Sequence, residues 1–105
     1  MYRMRKYKIV LVFLALILIP LDGLADKAED FMEDGITKSE AGNLEGALSD
    51  FTRAIDLDPQ NPKPYYGSAL ARIILGNTES GCKDAKKSFD MGYARAEELL
   101  TKYCQ

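Results

Sequence analysis

FMEDGITKSEAGNLEGALSDFTRAIDLDPQNP, residues 31–62, carries two apolar stripes at helical spacing, with one Gly-Asn pair between them and two prolines behind. Extended back to Ala28, the first stripe is Ala28, Phe31, Met32, Gly35, Ile36 and Ser39, with Glu29, Asp30, Glu33, Lys38 and Glu40 opposite. Residues three and four apart share one side of an α-helix, so the pattern predicts an amphipathic helix. Gly42 suits the left-handed position just past a helix end, and Asn43 suits the cap of the next helix. The second stripe is Leu44, Ala47, Leu48, Phe51, Ala54 and Ile55. It stops at Asp58-Pro59-Gln60-Asn61-Pro62, where proline rings forbid a continuing helix.

Downstream the same grammar returns. Tyr65, Tyr66, Ala69, Leu70, Ile73 and Ile74 predict a third helix, closed by Gly76-Asn77, which lies 34 residues after Gly42-Asn43. A fourth helix is expected from Thr78 to Met91 and a fifth from Tyr93 to Tyr103, with Gly92 as the joint. No segment alternates with a strand period. About five helices joined by short turns make an all-α, antiparallel stack.

Upstream the composition changes. Arg3, Arg5, Lys6 and Lys8 precede an unbroken apolar run of 11 residues, Ile9 to Ile19, then Pro20 and the small-residue end Gly23-Leu24-Ala25. A spanning helix needs about 20 apolar residues. Residues 1–25 therefore read as a signal peptide cleaved after Ala25, and the product is expected to be exported, periplasmic or secreted. The remaining 80 residues, Asp26 to Gln105, hold ten Lys plus Arg against fifteen Asp plus Glu, a net charge of −5. An acidic chain without a basic stripe lacks the cations that would replace counterions on nucleic acid or anionic lipid. Neither is an expected partner, and a membrane enters only if the signal segment stays uncleaved.

A 34-residue period with two helices per unit is the length of the tetratricopeptide repeat (TPR). The first unit also resembles that family residue by residue, with Phe31, Gly35, Ala47, Phe51, Ala54 and Pro59 standing where the family has an aromatic, a glycine, an alanine, an aromatic, an alanine and a proline. Asp34 and Lys38 depart from it, where leucine and tyrosine are usual. On this resemblance residues 26–61 form a first repeat and 62–92 a second, divergent one that keeps Tyr65, Ala69 and Gly76; 93–105 form a capping helix. The closing stretch GCKDAKKSFDMGYARAEELLTKYC, residues 81–104, is similar to short exported bacterial TPR proteins with a C-terminal cysteine pair. The implied architecture is a helix-turn-helix, TPR-like superhelix.

Cys82 and Cys104 are the chain's two cysteines, and an oxidising compartment would let them join. In a helical hairpin about Gly92 they sit ten residues before the joint and twelve after it, at nearly the same level. A structural bridge is expected there; a redox-active pair is the less favoured reading, since no C-x-x-C motif is present.

There is no histidine, which removes the commonest general base and most zinc sites. No glycine-rich phosphate loop occurs. Glu29, Asp30, Glu33 and Asp34 crowd the first helix, where negative charge near a helix start and a solvated face explain them. Five short helices leave little room for a catalytic pocket, so no enzyme, cofactor or metal is expected.

In TPR proteins the first helix of each unit lines a concave groove that takes a peptide or a helix. The resemblance thus implies a protein-interaction module whose groove draws on Met32, Ile36, Ser39, Tyr66, Leu70 and Ile73. Members that take the acidic tails of chaperones use Lys, Arg and Asn in the groove, and here Met32, Ile36, Tyr66 and Leu70 argue against that use. Two alternatives stay open: a structural homo-oligomer using the same face for itself, and a membrane-tethered adaptor with its signal segment retained.

Overall fold

A computed structural model of the protein describes residues 22–105. The charged start and apolar run of the expected signal peptide lie outside the described residues. Five helices follow in order among the described residues: α1 (Asp22–Glu40), α2 (Leu44–Leu57), α3 (Pro62–Ile74), α4 (Thr78–Asp90) and α5 (Ala96–Tyr103). These residues contain no strand. α1 and α2 form one hairpin and α3 and α4 a second; α2 packs on α3 to join them, and α5 lies against α4 with an edge on α3.

The turns that reverse the chain share one device. Gly42, Gly76 and Gly92 have φ of +84°, +93° and +99°, which an L side chain rarely adopts. Around each, the glycine N–H donates three residues back and the next N–H five residues back. The distances are Gly42 N to Ser39 O 3.0 Å and Asn43 N to Lys38 O 2.8 Å; Gly76 N to Ile73 O 3.1 Å and Asn77 N to Arg72 O 2.8 Å; Gly92 N to Phe89 O 2.9 Å and Tyr93 N to Ser88 O 3.1 Å. This closure satisfies carbonyls that the helix end would leave bare. At the helix starts, Asn43 Oδ1 accepts from Gly46 N at 3.0 Å and Asn61 Oδ1 from Lys63 N at 3.1 Å, the latter just before Pro62.

The core runs between the helices in two parts. Met32, Ala47, Phe51 and Ala54 pack with Phe31 in the first hairpin. Ala69, Ala85 and Leu99 pack with Tyr66, Leu70, Ile73 and Leu100 in the second. Phe51 ties the hairpins together. A Cβ on Gly35 of α1 would stand 2.8 Å from its ring, and a Cβ on Gly67 of α3 would stand 2.6 Å away, so both helices approach the ring across a missing side chain.

Two boundaries differ from the periodicity. α1 starts at Asp22, six residues before Ala28, because residues 23–27 are exposed and carry no stripe to be read. α5 starts at Ala96 and not at Tyr93. Residues 94 and 95 make tight i→i−3 turns, Ala96 N to Tyr93 O and Glu97 N to Ala94 O at 3.1 Å each, while the Tyr93 ring turns away to meet Tyr66. Lys38, one of the two departures from the family pattern, also has a structural role. Its Nζ stands 2.7 Å from Oδ2 of Asp50, a buried carboxylate on α2.

Candidate functional site: an apolar groove between α1, α3 and the start of α5

Two successive hairpins place α1 and α3 side by side and pointing the same way, with α2 behind them. The face left between them is a cleft of about 590 Å³. Met32 and Ile36 line it from α1; Tyr66, Leu70 and Ile74 line it from α3; Phe51 and Gly67 form its floor. Tyr93 and Arg95, in the connection before α5, close one end. Ile36 is 45% exposed and Ile74 59% exposed, and both look into this cleft. Ordinary folding leaves single apolar residues at the surface, but two large aliphatics facing one concavity form a patch.

Of the six residues that the resemblance assigned to a groove, Met32, Ile36, Ser39, Tyr66 and Leu70 line the cleft. Ile73 does not. It packs with Tyr66 and Leu70 in the core of the second hairpin, over Gly81 of α4, where a Cβ would come within 2.7 Å of its Cγ1. Ile74, one residue on, takes the place in the cleft. The 34-residue period does not separate the two, since their equivalents Ser39 and Glu40 both line the cleft. Tyr93 and Arg95 had no periodic signal, because they sit in a connection and not on a helix face. The room for a cleft also exceeds what five short helices suggested, because the floor is built from Gly67, Ala71 and one aromatic ring.

The cleft is polarised. At one end lie Lys63, in the first turn of α3, and Arg95, whose guanidinium carbon is 5.5 Å from the Tyr66 ring centroid. Tyr66 meets Tyr93 edge to face at 5.3 Å, so the three side chains brace one another. At the other end lies Glu40, the last residue of α1, beside Ser39 and Leu44. The ion pairs among the described residues are Lys38–Asp50, Arg72–Asp84, Lys83–Glu79 and Lys86–Asp90, so the charges of the cleft are not engaged in them.

Cys82 of α4 and Cys104, just past α5, are joined by a disulfide across a Cα–Cα distance of 5.7 Å. The bridge ties the short α5 to the second hairpin and thereby holds the connection that carries Tyr93 and Arg95. Glu29, Asp30, Glu33 and Asp34 of α1 are exposed, and the described residues contain no cluster of metal-ligating side chains.

No protein-family model matches the chain. It is 30% identical over 67 residues to a tetratricopeptide repeat protein 36 homolog of Nematostella vectensis, covering 64% of this chain and 37% of that protein. It is 28% identical over 68 residues to tetratricopeptide repeat protein 36 of Danio rerio, covering 65% and 36%. A match of 33% over 82 residues covers 78% of this chain and 91% of an uncharacterized protein of Methanocaldococcus jannaschii. The chain thus spans just over a third of the length of the two named tetratricopeptide relatives. With the marker residues of the repeat in the first hairpin, helix pairs stacked at a 34-residue period and relatives that carry the repeat in their names, the chain is a tetratricopeptide-repeat-like helical protein.

Proposed function

We propose that the chain is an exported, non-catalytic interaction module that holds a peptide or protein segment in the groove between α1, α3 and the start of α5. One observation carries the reading: Ile36 and Ile74, both about half exposed, face the same apolar cleft from neighbouring helices. Burying them against a partner would stabilise a complex by about 25 cal/mol per Å² of apolar surface removed from water. Tetratricopeptide relatives support a protein-binding role in general. The lining is mostly apolar, and it supplies no histidine, no cysteine and no pair of carboxylates.

Export rests on the pattern of residues 1–25 and agrees with a disulfide, which persists in oxidising compartments. No helix among the described residues is long and apolar enough to cross a membrane. A membrane-tethered adaptor differs from the exported module in keeping the segment from Ile9 to Leu21.

Two measurements test the proposal. The intact mass of protein from the exported fraction of its host, taken before and after reduction and alkylation, is expected to correspond to a start at Asp26 with both thiols blocked until reductant is added. A full-length mass with both thiols reactive would overturn export. For the groove, a photo-crosslinking residue at Ile74 is expected to trap a protein partner, with the yield lost in Ile36→Glu. The same probe at Lys87, on the outer face of α4, should trap none. Equal trapping from both positions would place binding elsewhere.

A further inference from the structure

Resting on the groove reading above, we infer that the occupant is an amphipathic α-helix of about three turns, antiparallel to α1 and α3, with an acidic last turn at Lys63 and Arg95 and a basic first turn at Glu40.

The first argument is the chemistry of the lining. An extended peptide brings one donor and one acceptor per residue, and each needs a partner once water is displaced. The charged side chains of the groove stand at its two ends: Glu40, beside Ser39, at one, and Lys63 and Arg95, beside the rings of Tyr66 and Tyr93, at the other. Between them the walls are Met32, Ile36, Leu70 and Ala71 over Phe51, with no asparagine or glutamine anywhere in the lining. A helix keeps its backbone hydrogen bonds inside itself and presents only an apolar stripe, which is what this middle section can take. Eleven residues separate Lys63 from Ile74, roughly 16 Å along α3, and this sets the length at about three turns.

The second argument is charge. α1 and α3 point the same way, so Glu40 and Ile74 mark one end of the groove and Lys63 the other, with Arg95 fixed beside Tyr66. None of Glu40, Lys63 and Arg95 takes part in an ion pair among the described residues. A helix carries partial positive charge at its N-terminus and partial negative charge at its C-terminus. The dipole is therefore best accommodated with the N-terminus at Glu40 and the C-terminus at Lys63 and Arg95. The same direction pairs a basic first turn with Glu40 and an acidic last turn with the two cations, contacts that must outweigh the cost of those end charges against the helix's own dipole. That direction continues the alternation of the fold, since α2 also runs against its neighbours α1 and α3.

The test is selection of 16-residue random peptides displayed on phage against the purified, oxidised protein, with binders to the Ile36→Glu/Ile74→Glu variant subtracted. The expected sequences have apolar residues at i, i+3 or i+4 and i+7, no internal proline, acidic residues in the last turn and basic residues in the first. A synthetic peptide of that pattern should lose about fivefold in affinity when its end charges are exchanged, and Arg95→Glu, which leaves the Lys63 end neutral, should remove most of the preference. Selected peptides with a two-residue apolar period or internal proline, or with the opposite charge order, would overturn the helix while leaving the groove as a binding site. No peptide dependent on Ile36 and Ile74 would overturn both readings. So would a concentration-dependent dimer of the oxidised protein that Ile74→Glu dissociates, because the groove would then be filled by a second copy.

Discussion

Both hairpins set a glycine of one helix against a large side chain of the other, with the two kinds of residue on opposite helices and at different distances from the turn. In the first, the glycine is on the leading helix, Gly35 of α1, and the large side chain on the returning one, Phe51 of α2. In the second, the large side chain is on the leading helix, Ile73 of α3, and the glycine on the returning one, Gly81 of α4. The two contacts are not equivalents in the 34-residue period, since Ala69 and Ala85 stand 34 residues after Gly35 and Phe51. The ion pairs repeat more faithfully, since Lys38 and Asp50 recur 34 residues later as Arg72 and Asp84. The hairpins also differ in what secures them. The first relies on a buried aromatic that reaches α3, the second on a disulfide to α5.

The largest effect is expected at Phe51. Its ring is buried and fills the space between three helices, so Phe51→Ala should destabilise the protein by about 3–5 kcal/mol in urea unfolding. Ile73→Ala, at a half-buried site serving one hairpin, should cost about 2 kcal/mol. Equal losses would show that Phe51 does not bridge the hairpins. The close approach gives a sharper form of the test. Gly35→Ala should cost about 1–3 kcal/mol in the wild-type background and much less beside Phe51→Ala, because its Cβ then meets no ring.

Next comes the staple. The bridge links residues 22 apart in sequence, and in the loop-entropy model it contributes roughly 3 kcal/mol. The variant Cys82→Ser/Cys104→Ser should lose about that much. Hydrogen exchange should rise first in α5 and in the connection holding Tyr93 and Arg95, with α1 and α2 last to respond. Uniform loss of protection across all five helices would mean that the two hairpins do not differ in this way.

The repeated ion pair separates the copies more gently. Among the described residues Asp50 pairs with Lys38, at 2.7 Å, whereas Asp84 accepts from the Ser68 hydroxyl at 2.9 Å and also lies 3.3 Å from Arg72 Nε. Asp84→Asn should therefore disturb two interactions and cost about 1–2 kcal/mol, against about 1 kcal/mol for Asp50→Asn, where Lys38 can turn to water. A double-mutant cycle between Lys38 and Asp50 should return a coupling of about 0.5–1 kcal/mol. A larger value for this pair than for Arg72 and Asp84 would invert the comparison.

These differences explain how far the residues alone could be read. Helix positions and turns were legible because a stripe, a glycine past a helix end and a proline break are local signals, and Gly42, Gly76 and Gly92 each act within one turn of themselves. The pairing of Cys82 and Cys104 was legible because helix rise sets their level. The groove was legible only through resemblance, which does not separate Ile73 from Ile74, because two adjacent residues near a helix end can each face it and Ile73 packs over Gly81 across the hairpin. Tyr93 and Arg95 were invisible as groove residues, since what places them is a left-handed turn followed by a ring contact between residues 27 apart. The Lys38–Asp50 pair was present in the period but looked like a departure from the family pattern until the hairpin brought both residues together.

The smallest expected effect concerns the Gly-Asn pairs that first revealed the period. Both glycines close a helix in the same way, but the asparagines after them differ. Asn43 Oδ1 accepts from Gly46 N and satisfies one of the bare donors at the start of α2. Asn77 makes no side-chain cap bond at the start of α4; the side-chain hydrogen bond in that turn is donated by the Ser80 hydroxyl to the Asn77 carbonyl at 3.4 Å, which an alanine at position 77 would keep. Asn43→Ala should therefore cost about 1 kcal/mol, and Asn77→Ala only a few tenths, in unfolding measured side by side. Equal costs would mean that Asn77 caps α4 in solution as Asn43 caps α2, and that the two turns are copies in their side chains as well as in their backbone.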